Sequence, residues 1–308
     1  MADTWFDRRT YAWGRWHLDD LLTAKRAAGS RVSVVIPARD EAPTIGDVVG
    51  RLNDAFVVAS DLVDELVVID GDSSDDTGRI ARDAGAVVHP LGSIRPDLGA
   101  RRGKGEALWK AQFVTSGDVL VFIDADLTEW DTHFVTGLLG PVLTDQATAL
   151  VKGFYERPFR SAEADDPHGG GRVTELVARP LLALTRPDLT HVVQPLAGEW
   201  AVRREVFAGL SVPVGYGVDV AALVDVHDRL GMDAIAQVDL GRRAHSHQSL
   251  SDLGPMAAQV MAAVLGRSGR AVDAQALLRQ FVAHGEGLTA SSHEVDLGER
   301  PPADEVGR

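Results

Sequence analysis

The run VLVFIDAD, residues 119–126, constrains this chain more than any other segment. Val119 to Ile123 is too short for an ordinary helix and too rich in β-branched side chains to favour one, so it reads as a buried strand. Residues two apart on a strand project to the same side. Asp124 and Asp126 therefore leave the C-terminal end of this strand together, which is where open α/β sheets bind ligands. Two adjacent carboxylates repel unless a cation joins them, and a hard divalent ion carrying phosphate oxygens meets that need. A strand-end turn that simply favours aspartate is the plain alternative, so the pair must be weighed with the rest of the chain.

Strand and helix patterns alternate around this run. RVSVVIPA, ELVVID and AVVHP read as strands, and TIGDVVGRLND and GEALWKAQFVT as helices. SSDDTGRIARDAG opens a further helix, with Ser73 or Ser74 available to cap its first turn. This βαβα order predicts a mostly parallel, Rossmann-like sheet with right-handed crossovers and flanking helices. Beyond residue 150, ALVKGFY and DAIAQVDLGRRAH read as strands, DVAALVDVHDRLG and DLGPMAAQVMAAVLGRS as helices, and VTELVARPLLALT as a helix kinked or broken at Pro180. The expected organisation is a helical arm bearing Trp5, Trp13 and Trp16 at residues 1–30, one domain with two functional halves at 31–150 and 151–282, and a flexible polar tail at 283–308.

The 308 residues contain no cysteine, which excludes disulfides, thiolate zinc sites and thiol nucleophiles and fits a cytoplasmic enzyme. A formal net charge of −14 argues against nonspecific nucleic-acid binding. No run approaches the ~18 apolar residues of a membrane span, and MADTWFDRRTYAWGRW lacks a secretory core, so stable membrane insertion is not expected.

Three further segments point to anionic ligands. The first strand ends in IPARDEAPTIG and lacks the GxGxxG that a dinucleotide site needs, which disfavours NAD and FAD. A proline followed by polar residues suits a grip on a base and ribose, with Glu41 and Asp70 as acceptors. In ARRGKGEALW, Arg101, Arg102 and Lys104 precede a helix start flanked by glycines, a setting that favours anions, although a solvated basic loop is the alternative. In GGGRVTEL, Gly169 to Gly171 can curl amides around an anion, Arg172 can fork onto it and Thr174 can add a hydroxyl. His245 and His247 alternate onto one side if their backbone is extended, and Asp219 begins a helix where it either complements the dipole or contacts sugar hydroxyls. Together these suggest a diphosphate donor and a separate phosphorylated or carboxylated acceptor.

The set resembles the GT-A glycosyltransferases and, more closely, the actinobacterial glucosyl-3-phosphoglycerate synthases, over residues 31–265. The likeness rests on IPARDEAPTI, DELVVIDGDSSDDT, RRGKGEALW, VFIDADL, GGGRVTELVARPLL, QPLAGEWAVRR, GYGVDV and MDAIAQVDLGRRAH. It implies a metal-dependent retaining hexosyltransferase that moves glucose from UDP-glucose to the 2-hydroxyl of 3-phosphoglycerate. Pro37, Ala38 and Glu41 would line the uridine site, with Asp70 and Ser73 nearby. Lys104 would face the diphosphate and ribose, Asp124 and Ala125 the donor, and Asp219 the glucose. Asp126 and His245 would bind the metal, Mg²⁺ in first place and Mn²⁺ in second. Gly171, Arg172 and Thr174 would hold the acceptor, with Tyr216 and His247 close by, and a homodimer is expected. Three positions depart from the resemblance: Ala125 stands where serine is common, Asp219 where glutamate is expected, and His247 where asparagine is expected. Within the same fold, a GDP-mannose-using mannosyl-3-phosphoglycerate synthase or a polyprenyl-phosphate transferase is the alternative. Outside catalysis, a sugar-nucleotide-binding regulator would bind UDP without forming product.

Overall fold

The predicted alternation builds an eight-stranded sheet. The structure is a computed structural model that describes residues 4–156, 159–160, 165–166, 171–243, 251–284 and 287–307. In chain order the sheet strands are β1 (Thr10–Ala12), β2 (Val32–Ala38), β3 (Glu65–Asp70), β4 (Val87–Pro90), β5 (Val119–Phe122), β6 (Leu150–Glu156), β7 (Trp200–Arg203) and β8 (Ile235–Arg242). Their spatial order is β1-β8-β6-β7-β5-β2-β3-β4. All neighbours run parallel except β7, which is antiparallel to both β5 and β6.

Both faces of this sheet are covered, which explains why its strands read as continuous apolar runs. Val35, Ile69, Phe122 and Trp200 face a core shared with the helices Lys104–Ala111, Val218–Leu230 and Leu253–Gly266. Val34, Ile36, Val68 and Val121 face the other core, shared with Leu18–Ala28, Ile45–Leu52 and His133–Thr144. Each such aliphatic side chain stabilises the fold by about 1.5–3 kcal/mol on full burial. From β2 the chain steps to β3 on one side and reaches β5 on the other. That reversal is a topological switch point, and it opens a crevice at the C-terminal ends of β2 and β5.

Three local expectations change, and the break expected at Pro180 is met. The N-terminal arm is not wholly helical, because Thr10–Ala12 joins the sheet as an edge strand parallel to β8. Its tryptophans do pack on the body: Trp5 Nε1 donates to the Met232 carbonyl at 2.9 Å, and the Trp13 ring lies 4.3 Å from that of His133. Ser73 and Ser74 do not cap the helix that follows β3, which starts only at Thr77. They instead tie this loop to the β2 loop, the Asp40 amide donating to Ser73 Oγ at 3.0 Å and the Ser74 amide donating to Asp40. The helix around Pro180 divides into a π-helical turn, Thr174–Ala178, and an α-helix, Arg179–Thr185, so the proline sits near the start of the second piece, where its missing N–H is tolerated.

The C-terminal segment is the third and largest correction. Its expected flexible tail is paired structure: Gln275–His284 and Gly287–Asp296 form an antiparallel hairpin, and Glu299–Arg300 pairs with Val212–Pro213. Polar composition misled here, because these strands need few buried side chains of their own when backbone pairing and ion pairs hold them. No described helix is long and apolar enough to cross a membrane.

Candidate active site

A cavity of about 560 Å³ opens at the switch point. That volume is ordinary for a site taking one or two small ligands. It is lined by Pro37, Ala38 and Glu41 from the end of β2 and by Asp124, Ala125 and Asp126 from the end of β5. Lys104, Gly171, Arg172, Thr174, Tyr216 and Asp219 complete the predicted set that the fold brings together. Asp70 and Ser73 do not line it; the Asp70 carboxylate accepts from the Ser73 amide at 2.9 Å and organises the loop behind Ala38. His245 and His247, with Gly169 and Gly170, lie outside the described residues.

The two strand-end carboxylates point to one side, as their spacing predicts. Arg243, one residue past β8, bridges them: its Nη2 is 3.3 Å from Asp124 and 2.8 Å from Asp126. Gly198 is required beneath them, since a Cβ there would lie 2.1 Å from the Asp124 carboxylate. Lys104 Nζ sits 2.8 Å from Asp124 Oδ1 and 3.3 Å from Asp219 Oδ2. Burial opposes the charge on Lys104, but these carboxylates outweigh it and raise the ammonium's pKa above its ordinary value. The other oxygen of Asp219 accepts from the Trp200 indole N–H at 2.8 Å. Lys104 and Asp219 are thus locked together, their position set by the helix starts at Lys104 and Val218.

Two amides at the start of the Lys104 helix are not open to an anion. The Gly105 amide donates to the Gly215 carbonyl at 3.2 Å and the Glu106 amide to that of Val214 at 2.9 Å. Its glycines serve close packing, because a Cβ on Gly105 would lie 1.8 Å from the Pro213 carbonyl oxygen. Arg101 is also withdrawn, paired with Asp296, while Arg102 is exposed and lines the cavity.

Four buried residues belong to the site's support and were not singled out from sequence. Glu199 pairs with Arg243 Nη1 at 2.7 Å and accepts from the Tyr155 hydroxyl at 2.6 Å. Its burial raises the carboxyl pKa, with Arg243 pulling the other way. Lys152 Nζ donates to the Ala197 carbonyl at 2.7 Å and lies 5.4 Å from the centre of the Trp200 ring, and burial pulls its pKa down to about 8. Lys152 and Tyr155 sit inside β6, Glu199 just before β7 and Arg243 just after β8, and Arg243 meets Asp124 across 119 residues. Glu199 and Arg243 fall in the motifs QPLAGEWAVRR and MDAIAQVDLGRRAH, which assigned them no role.

The grouping of carboxylates at the end of β5 fits a divalent cation. The cavity lining as a whole carries four carboxylates and five basic side chains, but Asp124 and Asp126 lie together at one strand end with Glu41 close enough to feel both. Glu41 registers that grouping: burial, then repulsion from Asp126 and Asp124, pushes its pKa up to about 7. Among the described residues no three metal-ligating side chains cluster, and His245 stands two positions beyond Arg243.

A mostly parallel sheet with paired carboxylates at a switch point, basic side chains beside them and an adjoining second loop defines a sugar-nucleotide transferase of GT-A architecture. Residues 33–208 match the family model described as glycosyl transferase family 2. The glucosyl-3-phosphoglycerate synthase of Mycolicibacterium smegmatis is 47% identical over 302 residues, covering 98% of each chain. The solved glucosyl-3-phosphoglycerate synthase of Mycobacterium tuberculosis with Mn²⁺, UDP-glucose and phosphoglyceric acid is 44% identical, with a TM-score of 0.86 over 97% of this chain and 99% of that one. A second structure of that protein, with Mg²⁺ and UDP, matches with the same identity, TM-score and coverage. This chain belongs to glycosyl transferase family 2 and, within it, to the glucosyl-3-phosphoglycerate synthases.

Proposed function

We propose that the chain transfers glucose from UDP-glucose to the 2-hydroxyl of 3-phospho-D-glycerate, with retention, giving glucosyl-3-phosphoglycerate and UDP. The observation that carries this reading is the single cavity holding Asp124, Asp126, Lys104, Asp219 and the Gly171–Thr174 turn, in a chain related at 44% identity to an enzyme solved with both substrates. Pro37, Ala38 and Glu41 grip the nucleoside end, and Arg172 and Thr174 hold the acceptor's anionic groups, with Tyr216 at the mouth. Asp126, with His245, would hold the divalent cation, which supplies charge neutralisation for the diphosphate. Lys104 stabilises negative charge developing on departing UDP, and Asp124 and Asp219 hold its amine in place. Asp219 is a poor nucleophile, because both of its oxygens are engaged. That favours a front-face substitution, in which the UDP phosphate takes the acceptor proton, over a double displacement.

The test is incubation with a panel of sugar nucleotides and 3-phosphoglycerate, with Mg²⁺ or EDTA. Release of UDP with formation of the phosphorylated glucoside is expected only with UDP-glucose and metal. Product from GDP-mannose alone would move the chain to a different transferase, and UDP binding without product would make it a regulator. Both substrates are phosphorylated anions that do not cross a bilayer unaided, so we assign the reaction to the cytoplasm. We assign a homodimer to the C-terminal hairpin: Leu277, Phe281 and Leu288, which are 63, 64 and 74% exposed, share one of its faces. A two-stranded hairpin has no core of its own. Light scattering that gives a monomer mass would remove that assignment.

A further inference from the structure

The segment from Asp296 to Pro301 lies across the start of the Lys104 helix and touches three stretches that line the cavity. Arg300 makes two 2.7 Å ion pairs to Glu106, whose side chain is fully buried in the first turn of that helix. The same guanidinium donates to the Leu98 carbonyl at 2.9 Å and stacks 5.0 Å from the centre of the Trp109 ring. Trp109 Nε1 donates to the Pro301 carbonyl at 2.7 Å. One residue before Arg102, Arg101 pairs with Asp296. The Asp296 carbonyl accepts from Gln259, which in turn accepts from the Tyr216 amide at 3.0 Å. Finally, the Val214 amide donates to the Gly298 carbonyl at 3.1 Å, and the carbonyls of Val214 and Gly215 accept from the Glu106 and Gly105 amides.

We infer that this C-terminal strap is part of the donor site, and that Arg300, acting through Glu106, is a positioning residue for Lys104. The reason is geometric. The first helical turn carries Lys104 into the cavity on one side and Glu106 into the strap on the other. A buried carboxylate holds its place only if its charge is matched, and a pair broken on one side leaves the other charge uncompensated in the interior. The Arg300 clasp therefore sets the roll of the helix start and, with it, the point at which the Lys104 amine meets Asp124 and Asp219. Displacement of a reacting group by about 1 Å can cost up to about 10²-fold in rate.

The inference rests on Lys104 facing the donor, so the experiment carries its own control. Steady-state kinetics with UDP-glucose and 3-phosphoglycerate varied separately are compared for wild type, Arg300→Met, Arg300→Lys, Glu106→Gln and Lys104→Ala, each assayed well below its own unfolding midpoint. Arg300→Met is expected to lose about tenfold or more in kcat/KM for UDP-glucose, with the acceptor KM within about twofold of wild type. Arg300→Lys restores one charged contact and should recover part of that loss. If Arg300→Met does not fold, Glu106→Gln, which keeps shape and hydrogen-bonding capacity, should show the same donor-selective loss. Wild-type kinetics in these variants with only a lowered midpoint would reduce the strap to a stabilising clasp and overturn the inference. An active Lys104→Ala would instead remove the donor role of Lys104, an outcome readable independently of the strap variants.

Discussion

Two glycine-flanked basic turns enter the cavity, and they use their glycines for different reasons. At Gly105, beside Lys104, the requirement is space, because the helix start rests on the Pro213 carbonyl with no room for a methyl group; Gly103 combines such crowding, against the Val214 carbonyl, with a φ of +147°. At Gly171 the requirement is torsional: φ is +79°, and among the described residues an added Cβ would meet only Thr174, at 3.7 Å. One sequence sign, glycine beside a cation before a helix, thus has two physical origins. The first turn is held by distant backbone and its cation is fixed between carboxylates; the second is set by its own dihedral and leads directly into the Thr174 turn.

The strongest test of this contrast is Gly105→Ala, which must push backbone against backbone. About 3 kcal/mol of destabilisation is expected by denaturant titration, and a loss below ~1 kcal/mol would show that the two segments separate easily. At the strand end that both turns face, Asp126→Ala should cost about 10²-fold in turnover, and full activity of this variant in EDTA would sink its metal role. Arg172→Ala should remove a charge-assisted contact of about 1.5–3 kcal/mol from acceptor binding, while calorimetric UDP-glucose affinity without acceptor stays unchanged. Equal losses for both ligands would assign the Gly171 turn to the donor diphosphate. Gly171→Ala should cost only about 1–2 kcal/mol, the penalty of a left-handed residue bearing a Cβ, and a loss as large as that of Gly105→Ala would erase the distinction.

The smallest expected effect is a slope with pH. Burial lowers the folded-state pKa of Lys152 to about 8, from an ordinary value of 10.5. Between those values the unfolded chain binds a proton that the folded chain has released, so this group makes stability rise with pH. The cost of burying its charge is full below pH ~8 and is relieved toward pH ~10.5. Wild type should therefore gain on Lys152→Met in unfolding midpoint between about pH 8 and 10. A constant difference across that range would mean that Lys152 keeps its charge.

The order of legibility follows how local each decision is. β2, β3 and β5 were readable because the short apolar runs at residues 34–36, 66–69 and 119–123, each bounded by turn residues, specify a strand without help from elsewhere. Asp124 and Asp126 were readable for the same reason, since strand geometry alone puts them on one side. The strap was not: Glu299 and Arg300 are charged, and their strand character comes from pairing with Val212 and Pro213. Ser73 and Ser74 carried a true capping signature that was satisfied instead by hydrogen bonding to Asp40, 33 and 34 residues away.

The sequence by itself determined the parallel sheet, its strand-end carboxylates and the family, because periodicity and motif spacing are properties of contiguous residues. Tertiary structure alone decided that Arg243 spans the two aspartates, that Trp200 and Lys104 share Asp219, and that Arg300 reaches Glu106 across 194 residues. A buried charge is settled by its partner, and chain separation carries no trace of which partner the fold will deliver.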